Sequence, residues 1–149
     1  RAVVDEALAA VRAEVPSVSS EGAARVLAVA HSAGFETAFA MSRRSGFGPK
    51  LRRVALMDGL YDVPEFFGRW ARDDASRSLV SLYIGGRPEQ NAARLGTYVR
   101  RALPASSVAI NPAEVDLAAA VASHRVVIAR VRGTHTQALL NYLDDVIGP

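Results

Sequence analysis

The stretch that decides the fold runs from Arg25 to Gly34 and reads Arg-Val-Leu-Ala-Val-Ala-His-Ser-Ala-Gly. Five apolar residues of strand type, Val26 to Ala30, lead directly into His31 and Ser32. An alanine-rich segment with good helix propensity follows at once and extends to about residue 44. A continuous apolar run of this length is typical of a parallel strand that is covered on both faces. The stretch therefore predicts a buried strand, a sharp turn and a helix.

The rest of the chain repeats this order of strand and helix. Further strands are predicted at residues 53–58, 79–84 and 125–131, and a short apolar piece at 108–110 is either a strand or a covered loop. Helices are predicted at residues 3–15, 62–74, 88–103 and 111–123. A last amphipathic helix is predicted after His135, with an apolar face that contains Leu139, Leu140, Leu143 and Ile147. Strands that alternate with helices predict a parallel sheet with helices on both faces. We therefore expect an α/β fold, with residues 1–149 forming part of one domain.

Composition excludes several functional classes. The chain has 149 residues, half of them apolar, and a formal net charge of +3. Its arginines occur in scattered pairs and form no dense basic run, so we expect no nucleic-acid partner. The absence of cysteine excludes disulfides and cysteine-based zinc sites. No apolar run approaches the length of a membrane span and no signal region is visible, which leaves the compartment open.

Four polar side chains follow successive predicted strands. Ser32 follows the first strand, Asp58 ends the second, Glu89 follows the third shortly after Gly85-Gly86, and His135 follows the last. In an open parallel sheet, the functional crevice lies outside the carboxyl ends of the strands. A serine nucleophile needs a base, and a histidine base needs an acceptor on its other ring nitrogen. The sequence therefore predicts a triad of Ser32, His135 and a carboxylate, for which Asp58 is favoured over Glu89.

Each candidate also has a purely structural interpretation. A serine before a helix is usually a helix cap, and Glu89 fits the first turn of its helix. Asp62 is best interpreted as a helix cap that reaches toward Glu65. His31 should lie on the opposite side of the turn from Ser32 and is interpreted as a structural neighbour. His124 precedes a strand and should lie at the opposite edge of the sheet.

The motif Ala30-His31-Ser32-Ala33-Gly34, the later acid and the late Gly133-Thr134-His135 together resemble the carboxyl-terminal half of an α/β-hydrolase, with its nucleophile elbow and its order of serine, acid and histidine. The motif departs from the family pattern at Ala30, where glycine is usual. The resemblance implies a serine hydrolase that cleaves an ester or amide of a small molecule or peptide through an acyl-enzyme, without a cofactor or metal. It also implies that the Ala33 backbone amide holds the oxyanion.

The resemblance also implies elements that these residues do not contain. The first strands of the family, and the early loop that supplies a second oxyanion amide, should precede this segment. The chain begins at Arg1 in a helical pattern and not at a methionine, so we expect an amino-terminal portion or a companion chain to complete the fold. The alternative function is a catalytically inactive, hydrolase-like binding or assembly module. A nucleotide-binding domain is disfavoured, because no phosphate-loop pattern surrounds Gly85-Gly86.

Overall fold

The computed structural model describes residues 25–44, 47–112 and 116–147. The predicted helix at residues 3–15 lies outside the described residues. The described part contains five strands and five α-helices, which in chain order are β1 Val26–His31, α1 Phe35–Arg43, β2 Leu51–Met57, α2 Pro64–Arg72, β3 Ser78–Tyr83, α3 Gly86–Ala102, β4 Val108–Ile110, α4 Leu117–Ser123, β5 Val126–Arg130 and α5 His135–Ile147.

The strands form one sheet in the order β1-β2-β3-β5-β4, and every neighbouring pair is parallel. This confirms the predicted α/β class with a parallel sheet and identifies the ambiguous piece at 108–110 as a strand. At the carboxyl edge, His31 pairs with Met57, and Met57 pairs with Leu82. The residues that follow β1, β2 and β3 therefore emerge side by side.

Two apolar layers cover the two faces of the sheet. Along β2, Val54 and Leu56 belong to one buried cluster, whereas Ala55 and Met57 belong to the other, as the alternation of side chains along a strand requires. The first cluster also contains residues of α1, α2 and α3, and the second contains residues of α4 and α5. In the first cluster, α3 buries Ala92, Leu95 and Val99.

The buried face of α5 differs from the sequence-based expectation. Ala138, Tyr142 and Val146 are the buried residues, whereas Leu140 is 70% exposed and Ile147 is 47% exposed. Residues 138, 142 and 146 recur every four positions and so form one stripe. Leu140 is two positions from both Ala138 and Tyr142, which places it about 200° around a helix of 3.6 residues per turn. The predicted apolar face is therefore wrong for Leu140 and Ile147, whereas Leu139 and Leu143 are partly buried and pack against the second cluster.

The start of α2 is also formed differently from the prediction. Asp62 does not cap the helix toward Glu65, because its Oδ1 accepts a hydrogen bond from the Val63 backbone N–H at 2.8 Å. Val63 is the residue before the helix and has a left-handed backbone with φ of 51°. Glu65 instead accepts a hydrogen bond from Arg94 Nη2 on α3 at 2.8 Å. The capping-box interpretation is therefore wrong, although a proline does begin the helix.

Helices α2 and α3 pack closely at Gly68. A Cβ atom added at Gly68 would lie 2.5 Å from Cδ1 and 2.9 Å from Cε1 of Tyr98. We expect Gly68→Ala to lower the free energy of unfolding by about 1–3 kcal/mol, the usual cost of overpacking. Urea unfolding measures this loss. In a Tyr98→Ala background the loss should largely vanish, because the ring that the new methyl group meets is gone. An equal loss in both backgrounds would contradict the close packing described.

Candidate active site

The turn after β1 is strained at Ser32. A short 3-10 turn, Ser32–Gly34, begins directly after the strand and continues into α1. Ser32 has a φ of 55°, which lies in the left-handed region that residues other than glycine rarely adopt. Ser32 thus lies in a strained turn between a strand and a helix, which is the arrangement that the nucleophile-elbow prediction requires. Ser32 itself is half-buried and therefore remains accessible.

Gly59 allows the next strand end to approach this turn. A Cβ atom added at Gly59 would lie 3.0 Å from the Ser32 carbonyl oxygen, 3.2 Å from the Ser32 nitrogen and 3.3 Å from the Ala30 carbonyl oxygen. All of these atoms belong to the backbone, so no side-chain rotation could make room. The position therefore favours glycine, because a Cβ atom would fit only if the backbone of one of the two segments shifted by a few tenths of an ångström.

The Asp58 carboxylate is buried and has a hydrogen-bond partner for each oxygen. Asp58 follows β2, has a left-handed φ of 45° and is only 6% exposed. Its Oδ1 accepts a hydrogen bond from the Ile84 backbone N–H at 3.1 Å, and its Oδ2 lies 2.7 Å from His135 Nδ1. An ionised carboxylate only accepts hydrogen bonds, so Nδ1 of His135 is the donor. In the neutral ring, Nε2 then carries the lone pair and can accept a proton.

The chain before α5 fixes His135 as the first residue of that helix. Gly133 has a φ of 113°, a conformation that favours glycine. Thr134 and Gln137 then form a reciprocal cap, in which the Thr134 N–H donates to Gln137 Oε1 at 2.8 Å and the Gln137 N–H donates to Thr134 Oγ1 at 3.4 Å. The Thr-x-x-Gln pattern is a sequence signal for this helix start, and sequence reasoning did not use it.

The other sequence candidates take different positions. Glu89 lies half-buried in the first turn of α3, and within the described residues it has no hydrogen bond to His135. Asp58 is the carboxylate that contacts the ring. His124 directly follows α4, and its Nδ1 lies 3.1 Å from the Ala120 carbonyl oxygen, at the opposite edge of the sheet from His135. Ala33 is exposed and stands second in the helical turn. The first N–H groups of a helix have no intrahelical partner.

Two features of the site were not anticipated. Across the described part of the chain, Ser32 Oγ makes no hydrogen bond to His135, so the serine and the Asp58–His135 pair share an edge without being joined. His31, which was interpreted as a structural neighbour, contacts His135 directly: its Nε2 lies 2.9 Å from the His135 carbonyl oxygen, and the two rings are 4.3 Å apart between centroids. The alternation of β1 is the sequence signal for this contact, because it places His31 on the face opposite α1.

Among the described residues, no group of three or more histidine, aspartate or glutamate side chains is arranged to hold a metal ion. In the same part of the chain, no helix combines the length and the apolar character needed to cross a lipid bilayer.

Comparison with models of known protein families, with curated proteins and with solved structures finds no match. Any function must therefore be argued from the site itself.

We expect Gly59→Ala to disturb the turn at Ser32. The new methyl group would press on backbone atoms, and the cost of such overpacking is about 1–3 kcal/mol in the free energy of unfolding. Gly34→Ala is the matched control, because a Cβ atom there meets only Ala30 Cβ at an ordinary 3.6 Å and the backbone φ is −57°. Chemical denaturation should find Gly34→Ala as stable as the wild type or slightly more so. Equal stabilities for the two variants would contradict the close approach.

Proposed function

We propose that the chain is a serine hydrolase of the α/β-hydrolase type that cleaves an ester or amide bond. The observation that carries the proposal is the 2.7 Å contact between Asp58 Oδ2 and His135 Nδ1. A carboxylate behind an imidazole holds the ring in one tautomer and stabilises the imidazolium that forms during the reaction. The strained Ser32 stands at the same edge of the sheet and supplies a hydroxyl nucleophile.

The proposed reaction proceeds through an acyl-enzyme. Ser32 Oγ attacks the substrate carbonyl carbon while its proton passes to His135 Nε2, and the carbonyl electron pair moves onto the oxygen. The tetrahedral intermediate then collapses, and the leaving group departs with the proton from Nε2. A water molecule attacks the acyl-enzyme by the same route and regenerates Ser32. Asp58 stays ionised throughout and stabilises the charged ring of His135.

The oxyanion needs hydrogen-bond donors next to Ser32. The Ala33 backbone N–H is the first, since it belongs to the residue after the nucleophile and to an exposed first turn. An amino-terminal segment or a companion chain would supply the second donor. Strand β1 stands at one end of the strand order, so within the described residues its outer edge pairs with no strand. Such an edge is a natural place for another strand to add.

The second candidate function is a hydrolase-like binding or assembly module without catalysis. The absence of a hydrogen bond between Ser32 Oγ and His135 in the described part of the chain favours it. Catalytic hydrogen bonds are often long before substrate binds, so this geometry is compatible with both functions. The two candidates differ in whether Ser32 reacts with an electrophile.

Covalent labelling separates the two candidates. A fluorophosphonate probe reacts with an activated serine and loses fluoride, so we expect the full-length wild-type protein to be labelled and Ser32→Ala to remain unlabelled. Mass spectrometry of the labelled peptide measures the result. Ser123→Ala is the matched control and should keep the label, because Ser123 Oγ is exposed and bonded to the Ala119 carbonyl oxygen of its own helix. Folded wild-type protein that takes no label would favour the module.

A pair of carboxylate variants tests which acid serves His135. Asp58→Asn removes the charged acceptor and favours the wrong tautomer, so we expect the labelling rate to fall by roughly 10³- to 10⁴-fold. Glu89→Gln should react at a rate close to that of the wild type, since Glu89 has no contact with the ring within the described residues. Time courses of labelling measure both rates. A large loss in Glu89→Gln with little loss in Asp58→Asn would reverse the assignment.

A further inference from the structure

His31 is bound to His135 through two different parts of its ring. His31 Nε2 lies 2.9 Å from the His135 carbonyl oxygen, and because a carbonyl oxygen only accepts, Nε2–H is the donor. The centroids of the two rings are 4.3 Å apart, with the ring planes inclined by 36°. The first contact holds the backbone of His135, and the second lies against its side chain. One residue therefore restrains both ends of the proposed base.

Strand geometry explains how His31 reaches this position. Ala28 and Ala30 belong to the buried cluster that lies on the face of α1, α2 and α3. His31 has an extended backbone with φ of −108°, so its side chain points to the other face. Helices α4 and α5 cover that face over β2, β3 and β5, whereas over β1 it is more open, with Val29 36% exposed. Helix α5 begins at His135, next to the end of β1. The residue before the nucleophile and the first residue of the last helix therefore meet.

We propose that His31 is a positioning residue for His135 in the proposed hydrolysis. This inference rests on the proposed function of Ser32 and His135. Asp58 fixes a single atom of the His135 ring, and one hydrogen bond leaves the imidazole free to swing about it. The bond from His31 holds the carbonyl at the root of that side chain, and the ring contact limits the swing. These contacts thereby limit the movement of His135 Nε2 relative to Ser32, on which proton transfer depends.

The test uses three substitutions of His31 in the full-length protein. His31→Ala removes both contacts, His31→Gln keeps an amide donor that can reach the same carbonyl, and His31→Phe keeps a ring without a donor. For hydrolysis of p-nitrophenyl acetate, we expect kcat of His31→Ala to fall by about 10- to 100-fold with little change in KM, as for a small misplacement of a catalytic group. His31→Gln should recover most of the loss and His31→Phe only a small part.

A second readout does not depend on turnover. The proton shared by His135 Nδ1 and Asp58 should give a far-downfield resonance in the proton NMR spectrum. We expect this resonance to broaden or shift in His31→Ala and to return in His31→Gln. His124→Ala is the control for loss of a histidine, because among the described residues His124 is hydrogen-bonded only to Ser123 and Ala120 of α4. It should leave kcat and the resonance unchanged.

The outcomes separate the two proposals. Wild-type kcat in His31→Ala, or equal losses in the alanine and glutamine variants, would overturn the role of His31 while leaving the proposed function intact. If the wild-type protein neither hydrolyses the ester nor takes the fluorophosphonate label, the proposed function fails, and the NMR resonance alone decides whether His31 positions His135. If His31→Ala does not fold, the comparison of the glutamine and phenylalanine variants gives the answer.

Discussion

The hydrogen bond between Asp58 and His135 is the contact on which the candidate site depends. It joins residues 77 positions apart, at the end of β2 and the start of α5. The contact needs β2, β3 and β5 in register. Asp58 Oδ1 accepts a hydrogen bond from the Ile84 N–H directly after β3, and His135 belongs to the segment after β5. The contact also needs α5 to begin at His135 and not one residue away. The parallel sheet supplies the first condition, and the cap between Thr134 and Gln137 supplies the second.

Backbone strain marks this edge of the sheet, but strain alone does not identify a function. Ser32, Asp58 and Asn111 each follow a strand with a left-handed φ, a conformation that costs about 1–3 kcal/mol per residue. The Asn111 side-chain oxygen accepts hydrogen bonds from the Tyr83 hydroxyl and from the Arg130 N–H, which is a structural role. Ser32 has no such bond within the described residues, and Asp58 directs one oxygen to a half-exposed histidine. Hydrogen-bond partners, and not backbone angles, therefore distinguish the Asp58–His135 pair from the structural turn at Asn111.

Most of the strands could be predicted from the sequence, because they are continuous apolar runs that end in polar or glycine-rich turns. The sequence could place Asp58 and His135 at one edge, since parallel strands deliver their carboxyl ends together. The sequence alone did not decide firmly between Asp58 and Glu89. That choice depends on where the first residue of α5, His135, lies relative to the ends of β2 and β3. The error at Leu140 has a similar cause: the rotation of a helix about its axis is set by packing, here at Ala138 and Tyr142. The contact of His31 with His135 needed both the strand alternation and the position of α5.

In the proposed reaction, the end of β1 positions the nucleophile and the base together. Ser32 and its neighbour His31 are consecutive residues, and the alternation of the strand directs their side chains to different sides of the chain. His31 reaches the His135 carbonyl from that position, while Gly59 allows the Asp58 segment to press against the Ser32 backbone. The position of Ser32 relative to His135 therefore depends on these local contacts as well as on the register of the strands in the sheet. A displacement of β1 would therefore move the nucleophile and one support of its base together, which links the positions of the two groups.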